Sequence, residues 1–139
     1  MNWCYKILSS IALAAAFGTT VASESDAAWQ KKLVGAWGET SSRPRGCERH
    51  RRVIVLATDG TFDAQTQVRG CNQRSYEWQG KWKVVSGMFE YSASASSSTK
   101  DVPTGVLLKE QILSVTDSEW VSIPQDTGIR SVARRGRTP

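Results

Sequence analysis

The chain has 139 residues, with 18 Lys and Arg against 13 Asp and Glu, one His, three Cys, six Trp and four Pro. That length holds one domain and leaves no room for two cores. Apolar residues make up 40% and charged residues 22%, ordinary globular usage that excludes a disordered, collagen-like, coiled-coil or multi-span membrane chain.

Residues 1–23 read as a secretory signal peptide. Met1 to Lys6 carries one positive charge and no acid, Ile7 to Phe17 is apolar apart from Ser9 and Ser10, and Val21-Ala22-Ser23 offers small residues for cleavage. The apolar run is shorter than the ~20 residues a membrane-spanning helix needs, and Cys4 precedes it instead of following a lipoprotein cleavage site. The mature form, residues 24–139, is therefore expected to have no membrane span, to fold as one domain and to be periplasmic or secreted. Cleavage removes Lys6 and no acid, so the mature chain stays basic. It also leaves Cys47 and Cys71 as the only cysteines, and in an oxidising compartment they are predicted to bond to each other. A metal site built from Cys47, His50 and Cys71 would lack a fourth ligand and the C-x-x-C spacing. No metal or cofactor is expected.

A short helix is placed near residues 26–33. After it, apolar and polar residues alternate between Gly, Asp, Ser and Pro breaks, the pattern of an all-β chain. Strands are predicted near 34–39, 51–57, 61–69, 74–84, 88–95, 105–115, 119–123 and 129–135.

The second and third of these give the clearest register. Arg52, Ile54, Leu56, Phe62, Ala64 and Val68 share one parity, while Arg49, Arg51, Asp63, Gln65, Gln67 and Arg69 share the other, so one face is dry and one wet. Val53, Val55 and Ala57 break the pattern by being apolar on the wet side. A Thr58-Asp59-Gly60 turn with Gly60 left-handed pairs Ala57 with Thr61 and sets partner numbers summing to 118. Cys47 then lies opposite Cys71, at a spacing of about 4.5–5.5 Å between Cβ atoms that suits a disulfide. A two-residue Asp59-Gly60 turn would shift this register by one.

In the next hairpin Tyr76, Trp78, Gly80, Trp82 and Val84 face one way and Glu77, Gln79, Lys81 and Lys83 the other, before a Ser86-Gly87 turn into Phe89 and Tyr91. The sixth segment is apolar on both parities, which a bulge or two-sided burial would explain. Eight short-turn strands favour an eight-stranded antiparallel up-and-down barrel, because closure removes exposed edges. A two-sheet sandwich is the alternative, with its crossover at the Ser-rich segment 92–104.

Gly35-x-Trp37 on the first strand, Asp59-Gly60-Thr61-Phe62 at a hairpin, Gly80-Lys81-Trp82 and the final Arg134-Arg135 resemble the small bacterial lipocalin-like proteins of the calycin group. The resemblance covers residues 33–135 and implies the up-and-down barrel. It further implies that Trp37 closes one end and that a basic residue of the last strand, Arg134 or Arg135, packs across it. Arg134 is taken as the barrel-closing residue. The long helix that follows the last strand in larger lipocalins is missing.

Threading the strands up and down puts tight turns at one end and longer loops at the other. Arg43, Arg45, Arg49, Arg51, Arg52, Arg69, Arg74 and Lys100 sit on or beside the looser loops, against Glu48, Asp101 and Asp126. Such a basic rim attracts anions or raises encounter rates with an acidic protein, or it serves as a solvated face. Two functions of different class follow. The first is an exported, non-enzymatic binding protein for a small apolar or anionic amphipathic molecule, lined by Phe62, Tyr76, Trp78, Trp82 and Tyr91 and gripped by Arg49 and Arg52. The second is a periplasmic protein-interaction module, an inhibitor or immunity-type factor, whose basic loops cover an acidic protein surface.

Nucleic acid is not an expected partner, since Trp78 and Trp82 point inward and cannot form a stacking platform. Catalysis is not expected either. His50 has no nucleophile beside it, and the serines from Ser92 to Ser98 lack the G-x-S-x-G setting and read as a lid or linker.

Overall fold

The computed structural model describes residues 24–42 and 46–136, so the proposed signal peptide, Arg43 and Arg45 lie outside the described residues. Helix α1 (Asp26–Leu33) precedes eight strands: β1 (Gly35–Ser42), β2 (Arg49–Leu56), β3 (Thr61–Arg69), β4 (Arg74–Val85), β5 (Met88–Ser96), β6 (Leu108–Val115), β7 (Glu119–Pro124) and β8 (Ser131–Arg135). Each strand pairs antiparallel with its chain neighbours, and β1 pairs with β8 to close the barrel. The sandwich alternative is thereby removed. No helix among the described residues is long and apolar enough to cross a membrane.

Turn chemistry sets the register as its residue types require. Ala57 donates to the Thr61 carbonyl at 2.9 Å, Gly60 takes φ +81°, and Asp59 accepts from the Thr61 N–H and hydroxyl at 2.9 and 2.6 Å. Leu56 then faces Phe62 and Arg49 faces Arg69, all pairs summing to 118. The same count carries two residues past the strands to Cys47 and Cys71, which are bonded with Cα atoms 5.6 Å apart. The β4–β5 turn uses Ser86 (φ 52°) and Gly87 (φ 72°), two left-handed residues that match the twist of the flanking strands.

Helix α1 forms because Ser25 caps it and Asp26 sits in its first turn. Asp26 also accepts from the backbone N–H groups of Ser86 and Gly87 at 2.7 and 2.8 Å, and Gln30 accepts from Val84 N–H at 3.1 Å. These contacts dock the helix against the tight end, where Leu33 is fully buried.

Two bulges correct the simple alternation. One on β5 skips Ser94, so that Gly80 faces Ala93 and Gln79 faces Ala95. The other lies between Ile112 and Ser114 and lets Ile112 and Val115 both face inward while Leu113 is exposed. This resolves the two-sided apolar pattern of the sixth segment. That strand starts at Leu108 and not at residue 105, because the stretch ahead of it holds Pro103 and the left-handed Gly105 (φ +75°). The Ser-rich segment is only partly a loop, since Ser92 to Ser96 belong to β5.

Trp37 is fully buried, and its indole N–H donates to the Leu33 carbonyl at 2.7 Å. Arg135, and not Arg134, packs across it, with the guanidinium carbon 4.2 Å from the ring centroid. Strand parity is the reason. Trp37 pairs with Arg135 and Glu39 with the buried Ala133, which sends Arg134 outward, where its nearest acid is Glu119 at 3.9 Å. Arg135 also donates to the carbonyls of Lys32, Val34 and Asp117 at 2.6, 2.8 and 2.8 Å. Arg135→Ala is therefore expected to cost about 2–3 kcal/mol in urea unfolding, through lost charged hydrogen bonds and ring stacking. Arg134→Ala should stay within about 0.5 kcal/mol; equal losses from the two variants would reject this assignment.

Candidate functional site

Inward parity places Phe62, Tyr76, Trp78, Trp82 and Tyr91 inside the barrel, all buried. They meet ring to ring. Phe62 lies 5.1 Å from Trp78 and 6.2 Å from Tyr91, and Phe89 links Tyr91 (4.9 Å) to Trp82 (5.9 Å) and to Trp120 (4.8 Å). Trp120 in turn meets Trp37 at 6.0 Å. Centroid spacings in this range are those of favourable aromatic pairs, so these side chains spend their surfaces on one another. The indole N–H groups of Trp78 and Trp82 find acceptors, Trp78 on Thr66 Oγ1 at 3.2 Å and Trp82 on the Ala57 and Thr61 carbonyls at 3.2 and 3.0 Å, whereas the buried Trp120 Nε1 has none among the described residues.

Arg52 is the next inward residue of β2 above Ile54. It donates to Glu39 at 2.7 Å and to Glu110 at 3.4 Å, and its Nη1 lies 3.4 Å from the Tyr91 hydroxyl. Tyr91 and Ser122 donate their hydroxyls to the two oxygens of Glu110 at 3.2 and 2.7 Å. Burial alone would favour neutral groups, yet the Arg52 charge, with hydrogen bonds from Ser131 and Arg52, holds the Glu39 carboxyl below its usual range. Burial likewise opposes charge on Arg52, but Glu39 and Glu110 outweigh it and keep the guanidinium protonated. Burial is also the main cause that raises the Tyr91 phenol, so it stays a donor.

Arg52 was expected to grip an anionic head group at the rim, and the structure places it against Glu39 and Glu110. Two carboxylates already claim it inside the wall. Arg49, also expected at the ligand site, is placed differently. Its odd parity puts it on the outer surface, across the wall from the aromatic side chains. The sequence reading missed Glu39, Glu110 and Ser122. The signal was present for the first two, because Glu39 is two residues from Trp37 and Glu110 two from Ile112, on the same inward face.

At the looser end Arg74 binds Asp101 at 2.8 Å and Glu48 at 3.0 Å, and Ser98 donates to Asp101 at 2.7 Å. Hydrogen bonds from Arg74 hold both carboxyls below their usual range. This latch lays the β5–β6 loop over the barrel mouth, with Val102 packed against the core. His50 sits 3.3 Å from Glu48.

The outer wall is different. Reading outward residues from the disulfide along β2 and β3, Arg49 faces Arg69, Arg51 faces Gln67, Val53 faces Gln65 and Val55 faces Asp63. Arg49 and Arg69 are exposed and have no ion-pair partner among the described residues. Like charges set directly across strands oppose each other, and no ion pair among the described residues offsets this. The exposed Cys47–Cys71 bond lies one outward position further along the ladder, so it holds the two strand ends, and with them the two arginines, side by side.

Compared with known proteins, the chain matches no protein-family model and no curated sequence.

Proposed function

We propose that this protein is an exported, non-enzymatic binding module of the lipocalin-like, calycin type that recognises an acidic protein surface with the basic outer wall beside its disulfide. One observation carries the reading. Arg49 and Arg69 are directly opposed and exposed, and have no ion-pair partner among the described residues, an arrangement that costs stability until an anion bridges it. Two guanidinium forks side by side suit the carboxylates of an acidic loop. Export is supported by the disulfide, which persists in oxidising compartments, and by the signal-like residues 1–23.

The inward groups support a scaffold role. Aromatic rings in mutual contact and an arginine held by two carboxylates stiffen the wall that presents the arginines. They do not offer an anion a free cation. This favours the interaction reading over a small-ligand site in the lumen.

The test is capture from a periplasmic extract by the immobilised protein and by an Arg49→Glu/Arg69→Glu variant. An acidic partner should be retained by the first and reduced at least about tenfold on the second or in about 0.5 M salt, where the Debye length falls below about 5 Å. Retention that is unchanged by both treatments would reject the reading.

A further inference from the structure

The same wall carries the opposite charge lower down. Asp63 and Glu77 are exposed on the outer faces of β3 and β4 and, like Arg49 and Arg69, have no ion-pair partner among the described residues. They flank an open groove of about 530 Å³ with Val53, Val55, Gln65 and Gln79 in its lining. Val55 is 46% exposed on a face that strand alternation would make polar. Asp63 and Arg69 are six residues apart on one straight strand, about 20 Å. That is beyond the Debye length at physiological salt, so they cannot neutralise each other within one chain.

A second copy can bring them together. We infer that the outer wall of β2–β4 pairs with the same wall of a second copy of this chain, about a two-fold axis that crosses β3 between Gln65 and Gln67. Turning the wall over that axis places Asp63 against Arg69 of the second copy and Arg69 against its Asp63. The register of β2 on β3 then sets Val55 against Arg49 of the second copy, whose aliphatic stem covers the valine. Asp63 and Arg69 are thereby each paired, twice over by the symmetry of an isologous interface. The wall is narrow and convex, so the dimer is weak and depends on concentration. It also buries the basic rows, so that self-association and the acidic partner compete. This last consequence rests on the proposed function, whereas the dimer does not.

Sedimentation velocity on the purified protein over about 10–500 μM reads the dimer directly, in about 20 mM and about 0.5 M salt. A monomer–dimer equilibrium should appear at low salt and weaken at least about tenfold at high salt. Asp63→Arg and Arg69→Asp should each weaken it by about tenfold or more, and the double exchange Asp63→Arg/Arg69→Asp should restore it to within about threefold. Both positions tested lie on the solvent side of the wall, and thermal unfolding of each variant confirms that it is folded. A monomer at every concentration, a dimer indifferent to the single exchanges, or a double exchange that fails to restore it would overturn the inference. Capture of the acidic partner well below the dimer dissociation constant tests the functional reading separately, so either can fail while the other stands.

Discussion

Arg52→Ala should lower stability by about 3–5 kcal/mol at neutral pH, because it leaves the carboxylates of Glu39 and Glu110 inside the barrel without their cation. For a domain of this size that corresponds to a fall in Tm on the order of 15 °C. Glu110 keeps its bonds from Ser122 and Tyr91, but neither hydroxyl supplies charge. Combining Arg52→Met with Glu39→Gln and Glu110→Gln should recover at least about half the loss, since a buried cluster replaced as a whole costs far less than one partner removed. The pH dependence has a definite sign. In the parent, burial opposes ionisation of Glu39 but the Arg52 charge outweighs it and holds the carboxyl below its usual range, so it contributes stability at neutral pH that fades as pH falls through the folded value. In Arg52→Ala burial is opposed only by the Ser131 hydrogen bond, so the Glu39 carboxyl moves up from its parent value and protonation relieves the variant. The gap between the two proteins should therefore narrow as pH drops from 7 toward 4. A gap of less than about 1 kcal/mol at pH 7, or one that widens in acid, would show that the cluster is not an ionic unit.

Gly80→Ala should be comparably harmful, at about 3 kcal/mol or more in urea unfolding. A Cβ at this position would overlap the Ser92 carbonyl oxygen and lie 2.9 Å from the Ala93 Cα. Both are backbone atoms of the neighbouring strand, so no rotamer change relieves the clash and the β4–β5 ladder must part at its bulge. Gly60 provides the internal comparison. Its φ of +81° is unfavourable for alanine, but the nearest contact, the Trp82 carbonyl oxygen, is 3.3 Å away, and the cost should be nearer 1 kcal/mol. Equal effects at the two sites would remove steric approach as the reason for glycine in Gly80-Lys81-Trp82.

Legibility followed the range of the interaction. The Thr58-Asp59-Gly60 turn is local chemistry, and it predicted the β2–β3 register and the cysteine pairing because one glycine in the left-handed region sets the whole ladder. The outer and inner residues of β3 and β4 were legible for the same reason, since strict alternation leaves a buried face no choice. In β6 alternation fails at a bulge that the sequence does not announce, and only pairing with β7 shows that Ile112 and Val115 both face inward. The choice between Arg134 and Arg135 likewise needed the partner strand: either could stack on Trp37 until the pairing of Glu39 with Ala133 settled which parity is inside.

The candidate site divides along the same line. Sequence by itself determined that the chain is all-β, that its aromatic residues face a common interior, that Cys47 and Cys71 lie opposite each other and that cations gather at one end. Tertiary structure alone decided which of those cations are available. Arg52 meets Glu39 across the β1–β2 pair and Glu110 from the far side of the barrel, and Arg74 meets Asp101 from a loop 27 residues away. Charges of opposite sign cancel only at contact distance, and barrel closure brings residues that distant in the chain within 4 Å while leaving Arg49 and Arg69 without an ion-pair partner among the described residues.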